Sequence, residues 1–144
     1  MIYLLLTIVS AIICYSDFKY RKISNKAILC VFLLSSSLSI KYGFFIQSIK
    51  ISFLIFVIGF FLTKIKIIGG GDIKLISTLS LAIHGDVIWL FFIMIGFFGG
   101  VQLSMEYLYC IIKNKKTPFD KGVPYGIAIS LSGLLAIFLS IILS

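Results

Sequence analysis

Long apolar runs separated by short polar connections dominate the hydrophobic pattern of the chain. Six segments can be marked, at 2–16, 27–40, 49–63, 73–83, 87–109 and 125–143. Whole segments are apolar, whereas a soluble helix would be apolar on one face only and a half-buried strand would alternate. A straight span needs about 20 apolar residues, so the fourth segment is short for one. The pattern predicts an all-α integral membrane protein with about six transmembrane helices, forming a single polytopic membrane domain over residues 1–144.

Composition agrees with this class and weakens one alternative. The 144 residues are 60% hydrophobic and 12% charged, which is about half the charged fraction of a soluble domain. The net charge of +8 comes from basic residues in short connections, where they mark orientation and attract anionic lipid headgroups. Because no basic-aromatic surface is evident, we expect a lipid bilayer, and no nucleic acid, as a partner.

Basic residues are concentrated in alternate connections. Eleven of the thirteen lie between the first and second segments, around the glycines near residue 70, and between the fifth and sixth segments. The positive-inside rule then places these three connections in the cytoplasm and the N-terminus outside. The first segment has no basic residues before it and no clear cleavage site, so we expect a retained helix rather than a signal peptide.

The stretch IKIIGGGDIKLI, residues 65–76, interrupts an apolar run with three glycines and an acid. Glycine weakens a helix but lets another backbone approach closely, and a carboxylate near hydrocarbon is costly. Asp72 would open the fourth helix on the cytoplasmic side, and Asp17 closes the first helix on the same side. The topology therefore predicts two carboxylates at one membrane level.

Two carboxylates in one site do not both ionise easily, so one of them keeps a proton. The ionised one can take a proton from water while the protonated one polarises a carbonyl, which is the chemistry of an aspartic protease. Asp72 is predicted at a helix N-terminus and Asp17 near a helix C-terminus. The helix dipoles therefore predict that Asp72 is the more often ionised of the two.

Other interpretations of these residues stay open at this point. A single Asp beside lysines at a helix end is usually a solvated interfacial charge, and a glycine run before an Asp is usually a capped helix break. A broken helix with an acid also builds ion sites, so a small transporter or channel subunit with a proton or cation at Asp17 and Asp72 is the alternative function. A purely structural membrane partner is a third hypothesis.

Metal and cofactor chemistry has little support in the sequence. Cys14, Cys30 and Cys110 are far apart, no CxxC pair exists, and His84 has no second histidine to complete a site with it. We therefore expect no metal site and no cofactor.

Three short motifs resemble those of the type IV prepilin peptidases, a family of GxGD intramembrane aspartyl proteases. GGGDIKL, residues 69–75, resembles the second catalytic motif of that family. SDFKYRKISN, residues 16–25, resembles the first, with Ser24 where the family often has Pro. VPYGIAIS, residues 123–130, resembles the Pro-aromatic-Gly stretch that opens the last helix of the family.

The resemblance implies an activity and assigns roles to residues. It implies a hydrolase, an aspartic-type endopeptidase that removes the short basic leader from prepilin or pseudopilin precursors at the cytoplasmic face of a prokaryotic inner membrane. Asp17 and Asp72 are then the catalytic pair. The assigned catalytic-loop residues are Gly69, Gly70, Gly71 and Lys74, and the assigned substrate-binding residues are Glu106, Asp120, Pro124, Tyr125 and Gly126.

The resemblance is to the short, peptidase-only form found with Flp-type pilus and secretion systems. Larger members of the family carry a cysteine-rich, zinc-binding N-terminal loop and also methylate the new pilin end, and the sequence shows neither those cysteines nor that loop. Expected partners are therefore a prepilin or pseudopilin precursor, anionic lipid headgroups, and a second copy of the chain in a homo-oligomer.

Overall fold

A computed structural model describes residues 1–112 and 124–143 of the chain. Each of the six predicted apolar segments forms a helix. The helices are α1 (Ile2–Tyr20), α2 (Asn25–Lys41), α3 (Phe45–Lys64), α4 (Gly70–Ser80), α5 (Ile88–Ile112) and α6 (Gly126–Leu143), with a short 3-10 helix (Gly85–Val87) before α5. Within the described ranges no strand occurs, so the prediction of an all-α membrane protein is confirmed.

Among residues 1–112 and 124–143, four helices are long and apolar enough to cross a membrane. They are α1, α3, α5 with the 3-10 turn before it, and α6. Helix α2 has 17 residues and α4 has 11, which at 1.5 Å per residue gives about 25 Å and about 17 Å. The span count of six and the orientation with the N-terminus outside therefore stay predictions. Large side chains such as Phe53 and Trp89 point outward, as they do on lipid-facing helices.

The short helix α4 lies at the centre of the bundle, in contact with α2, α3 and α6. Leu75 and Leu79 have no exposed surface. Glycine permits the close approach of α6, because a Cβ on Gly133 would lie 2.7 Å from Leu79 Cδ1. Small side chains at helix contacts are the usual means of packing in membrane proteins, where apolar burial gives little driving force between helices.

Serine hydroxyls on neighbouring helices satisfy the backbone where α4 ends. Ser48 Oγ donates to the Ile83 carbonyl at 3.0 Å, and Ser52 Oγ donates to the Ser77 carbonyl. The last carbonyls of a helix have no partner within it, and an unpaired one is costly away from water. These bonds allow so short a helix to end inside the bundle.

Both helix ends near the two acids differ from their predicted bounds. Helix α1 continues past Asp17 to Tyr20 and stops where Arg21 adopts a left-handed conformation, with φ 51°. The Arg21 N–H donates to the Asp17 carbonyl at 2.9 Å and closes the last turn. Helix α4 begins at Gly70, so two of the three glycines belong to its first turn rather than to a flexible turn before it.

Candidate active site

One cavity of about 880 Å³ contains both predicted catalytic acids. Asp17 comes from the last turns of α1, and Asp72 from the first turn of α4. Helices α2 and α6 each contact both α1 and α4, which brings these two helix ends to the same region. The remaining lining combines the charged residues Arg21 and Lys22 with mostly apolar ones, among them Ile23, Ile68, Ile76, Ile95, Tyr125 and Ile129.

The Asp17 carboxylate is fixed by the start of α6. Asp17 is only 5% exposed, and its Oδ2 accepts a hydrogen bond of 2.8 Å from the Gly126 N–H. Gly126 is the first residue of α6, where backbone N–H groups carry the positive end of the helix dipole. A Cβ on Gly126 would lie 2.6 Å from Asp17 Oδ2, so only glycine permits this approach.

The Asp72 side chain lies against the residue that caps α4. Gly69 is the N-cap of α4, and a Cβ there would be 2.8 Å from Asp72 Oδ2. Helix α4 is not among the helices long enough to span a membrane. Burial, and secondarily the negative charge of Asp17, raises the pKa of Asp72 from its ordinary 3.8 to about 6.

Burial of Asp72 therefore opposes the ionisation that the helix dipoles predict for it. A rise of two pKa units corresponds to about 3 kcal/mol in favour of the neutral form. A helix N-terminus stabilises an anion by only about 1 kcal/mol. Burial thus drives Asp72 towards protonation, and the Asp17 carboxylate accepts a hydrogen bond from the Gly126 N–H, which favours its anion.

Comparison with protein families agrees with this geometry. The model of the type IV leader peptidase family matches residues 4–144. The chain belongs to the type IV leader peptidase family. No curated protein and no solved structure matches it. Members of the family are prepilin leader peptidases of the aspartic type, so this peptidase is a hydrolase that acts on prepilin-like substrates.

The glycines of the peptidase's assigned catalytic loop differ in their surroundings. Gly69 and Gly71 line the cavity with the acids. A Cβ on Gly70 would have no atom within 4 Å, and one on Gly71 would make ordinary contact with Ile23 at 3.5 Å. Of the three, Gly69 is therefore the position where a side chain would displace Asp72.

Lys74, which the resemblance assigns to the catalytic loop, has its side chain directed away from the acids. Its Nζ donates to Asn25 Oδ1 at 3.3 Å. It lines a separate cavity of about 370 Å³, together with residues of α2 and α3. Two residues along a helix rotate the side chain by about 200°, so Asp72 and Lys74 lie on opposite faces of α4.

The residues assigned to substrate binding are only partly gathered at the cavity. Tyr125 lines it, and Gly126 bonds to Asp17, whereas Pro124 is buried and is not part of the lining. Glu106 lies on α5 outside the lining of the cavity. Asp120 lies outside the described residues.

Two residues of α5 that the motifs did not indicate hold the start of α6. Gln102 Nε2 donates to the Pro124 carbonyl at 2.8 Å. Gly99 lies under Tyr125, because a Cβ there would be 3.0 Å from Tyr125 Cε1. The sequence did contain a signal for these residues: Gln102 is an amide within a long apolar helix, and it follows Gly99 by three residues, which puts both on the same helix face.

Metal ligands are not grouped near the acids. Between residues 1 and 112, and again from 124 to 143, no three His, Cys, Asp or Glu side chains are placed to hold a metal ion. Within those ranges, the side chains with polar groups that line the cavity are the two carboxylates, the cations of Arg21 and Lys22, and Tyr125 with its hydroxyl.

Replacement of Asp72 by Asn is expected to stabilise the folded peptidase above pH 7 but not at pH 4. An acid whose pKa is raised by folding stabilises the folded state below its unfolded pKa, and this contribution is lost as the pH rises through the folded pKa. With a folded pKa of about 6, the wild type should lose about 1–3 kcal/mol between pH 4 and pH 7. Asn is neutral throughout and avoids this loss.

Thermal unfolding in detergent micelles at several pH values measures this effect. The difference in Tm between Asp72→Asn and wild type should grow from near zero at pH 4 to a gain of several degrees at pH 8. Asp86→Asn is the control, because the Asp86 side chain is 85% exposed. A pH-independent difference for Asp72→Asn would show that the carboxyl is not perturbed by burial.

Proposed function

We propose that this peptidase removes the leader of type IV prepilin or pseudopilin precursors at the cytoplasmic face of a prokaryotic inner membrane, with Asp17 and Asp72 as its catalytic pair. The observation that carries the proposal is the shared cavity. Asp17 and Asp72 are 55 positions apart in the chain, yet they line one cavity, to which the apolar helices α1, α5 and α6 all contribute residues. Carboxylates in a shared, partly dry site are what metal-free peptide hydrolysis requires.

The two carboxylates take different roles in the proposed reaction. Asp17, as the anion held by the Gly126 N–H, accepts a proton from water while the water oxygen attacks the scissile carbonyl carbon. Asp72, as the acid, donates a hydrogen bond to the carbonyl oxygen, transfers its proton to that oxygen as the water attacks, and takes the proton back when the carbonyl re-forms. The C–N bond then breaks, the amine leaves with the proton that Asp17 received, and the leader keeps the new carboxylate. Bound substrate excludes water and favours neutral Asp72 further.

The cavity suits the junction between a polar leader and an apolar helix. Ile68, Ile76 and Ile95 form an apolar wall, while the acids lie where α1 ends and α4 begins. A substrate helix would lie along that wall with its first peptide bond at the carboxylates. Glu106 and Asp120 are the proposed contacts for basic leader residues. Glu106 lies one turn beyond Gln102 on α5, towards the end of the bundle where α6 begins.

Exposed lysines near the cavity support the proposed contact with anionic lipid headgroups. The side chains of Lys19, Lys26, Lys64 and Lys66 are exposed around the ends of α1, α2 and α3 that lie nearest the acids. Each basic residue near an anionic surface adds about 1 kcal/mol of attraction. Association of two copies stays part of the proposal, with no interface assigned.

A cleavage assay in cells tests the proposal. The chain is co-expressed with candidate prepilins, and precursor and mature pilin are separated by size for wild type, Asp17→Asn and Asp72→Asn. Accumulation of precursor in both variants, at normal membrane levels, supports the catalytic pair. Cleavage at the wild-type rate in either variant would reject it and favour an ion-binding role for these acids.

A further inference from the structure

Gln102 is a polar side chain within the apolar helix α5, and its contacts are divided. Its Nε2 donates to the Pro124 carbonyl at 2.8 Å. Its Oε1 is buried and has no hydrogen-bond partner among residues 1–112 and 124–143. An unpaired buried acceptor costs about 1–3 kcal/mol. A side chain retained only for packing would be apolar, so this cost points to a role for the donor.

The acceptor of that bond lies two residues before the contact with Asp17. The Pro124 carbonyl also accepts the Ile127 N–H at 3.4 Å, so it begins the first turn of α6. The next residue but one, Gly126, gives its N–H to Asp17 Oδ2 at 2.8 Å. Pro124 itself has no N–H with which to anchor this corner. Its carbonyl is the group through which α5 can fix it.

Gly99 provides the second contact between α5 and this corner. It is buried beneath the Tyr125 ring, three residues before Gln102 on the same helix face. The contact with Gly99 limits how far the Tyr125 ring can move, and the hydrogen bond from the Gln102 amide fixes the distance of the Pro124 carbonyl from α5. The corner is thereby held by α5 at Pro124 and Tyr125, while its Gly126 N–H contacts Asp17 of α1.

We propose that Gln102 is a positioning residue for prepilin cleavage: its amide donor holds the Pro124–Gly126 corner so that the Gly126 N–H stays directed at Asp17. This rests on the proposed function, because it assumes that Asp17 is one of the catalytic acids. Gln102 touches neither carboxylate. It acts through the backbone of residues 124–126, and its removal changes how well the carboxylate pair holds its one negative charge.

Gln102→Met tests the proposal, since Met is similar in length and has no donor. Purified wild type, Gln102→Met and the control Ser104→Ala are compared on a prepilin substrate in detergent. Ser104 is exposed on the same helix, and its Oγ donates to the Gly100 carbonyl of its own turn. We expect kcat to fall about 10-fold in Gln102→Met, with KM within about twofold of wild type, as for loss of one hydrogen bond to a charged group.

The pH dependence of kcat separates positioning from misfolding. With the Gly126 donor misplaced, the carboxylate pair binds its second proton more readily, so the acidic limb of the profile moves to higher pH. The groups that face Asp17 or share its cavity are Asp72 on α4, Cys14 and Arg21 of the α1 end, Lys22 after it, and Tyr125 before α6, and none of them is changed. A smaller folded fraction would lower kcat equally at every pH.

The outcomes distinguish this inference from the function on which it rests. If Asp17→Asn abolishes cleavage while Gln102→Met shows wild-type kcat and pH profile, only the positioning role is overturned. A uniform loss at all pH values also overturns it, because it indicates a structural role. If Asp17→Asn cleaves normally, the proposed function fails first, irrespective of Gln102.

Discussion

Asp17→Asn and Asp72→Asn are each expected to lower the rate of prepilin cleavage by about 10³-fold or more. Asn preserves the size of the side chain but cannot accept a proton from water in place of Asp17. In place of Asp72 it can donate a hydrogen bond but cannot transfer a proton. Positioned acid–base groups contribute about 10²–10⁴-fold in rate, and the two carboxylates of one cavity act as a unit. The double variant should therefore be hardly slower than either single one.

The measurement is the single-turnover rate of leader removal by purified variants in detergent. Asp86→Asn is the matched control, because it is an equal chemical change at an exposed acid in the loop between α4 and α5. Its rate should stay within about twofold of wild type. Additive losses from the two single variants would contradict a shared mechanism and would indicate that each acid acts separately.

The order of the helices and the meeting of the two acids followed from sequence patterns. The length of an apolar segment in a membrane protein is set by the thickness of the bilayer more than by contacts with neighbouring helices. Each of the six apolar segments could therefore be recognised in the sequence, and each forms a helix. The charge pattern placed Asp17 and Asp72 at one level, and both line one cavity. Their assignment as catalytic residues stays a prediction until the variants are measured.

Other features depended on packing that no single segment reveals. The pKa of Asp72 is raised because burial by surrounding helices outweighs the dipole of its own helix. The direction of Lys74 follows from its place two residues after Asp72 within α4, where a rotation of about 200° puts the two side chains on opposite faces. Gln102 belongs to no recognised motif, since its partner is a backbone carbonyl 22 positions away.

Gly126→Ala is expected to lower cleavage by about 10²-fold without weakening α6 itself. The new Cβ would lie 2.6 Å from Asp17 Oδ2 and 3.0 Å from its Cγ, so either the carboxylate or the start of α6 must move. In both cases the 2.8 Å bond from the Gly126 N–H is lost or displaced. A displacement of about 1 Å at a catalytic group can cost about 10²-fold in rate. Ala is a better helix former than Gly, so helix α6 gains intrinsic stability.

Gly100→Ala supplies the comparison for this substitution. Gly100 lies in α5, and a Cβ there meets no atom within 4 Å. It should retain wild-type cleavage and gain about 0.5–1 kcal/mol from helix propensity. Leader removal and thermal unfolding are measured on both variants in the same detergent. Cleavage by Gly126→Ala within about threefold of wild type would contradict a close contact between α6 and Asp17. Wild type and Gly126→Ala both keep the backbone N–H of residue 126. The loss of cleavage in the variant would therefore come from the changed position of this donor rather than from its removal.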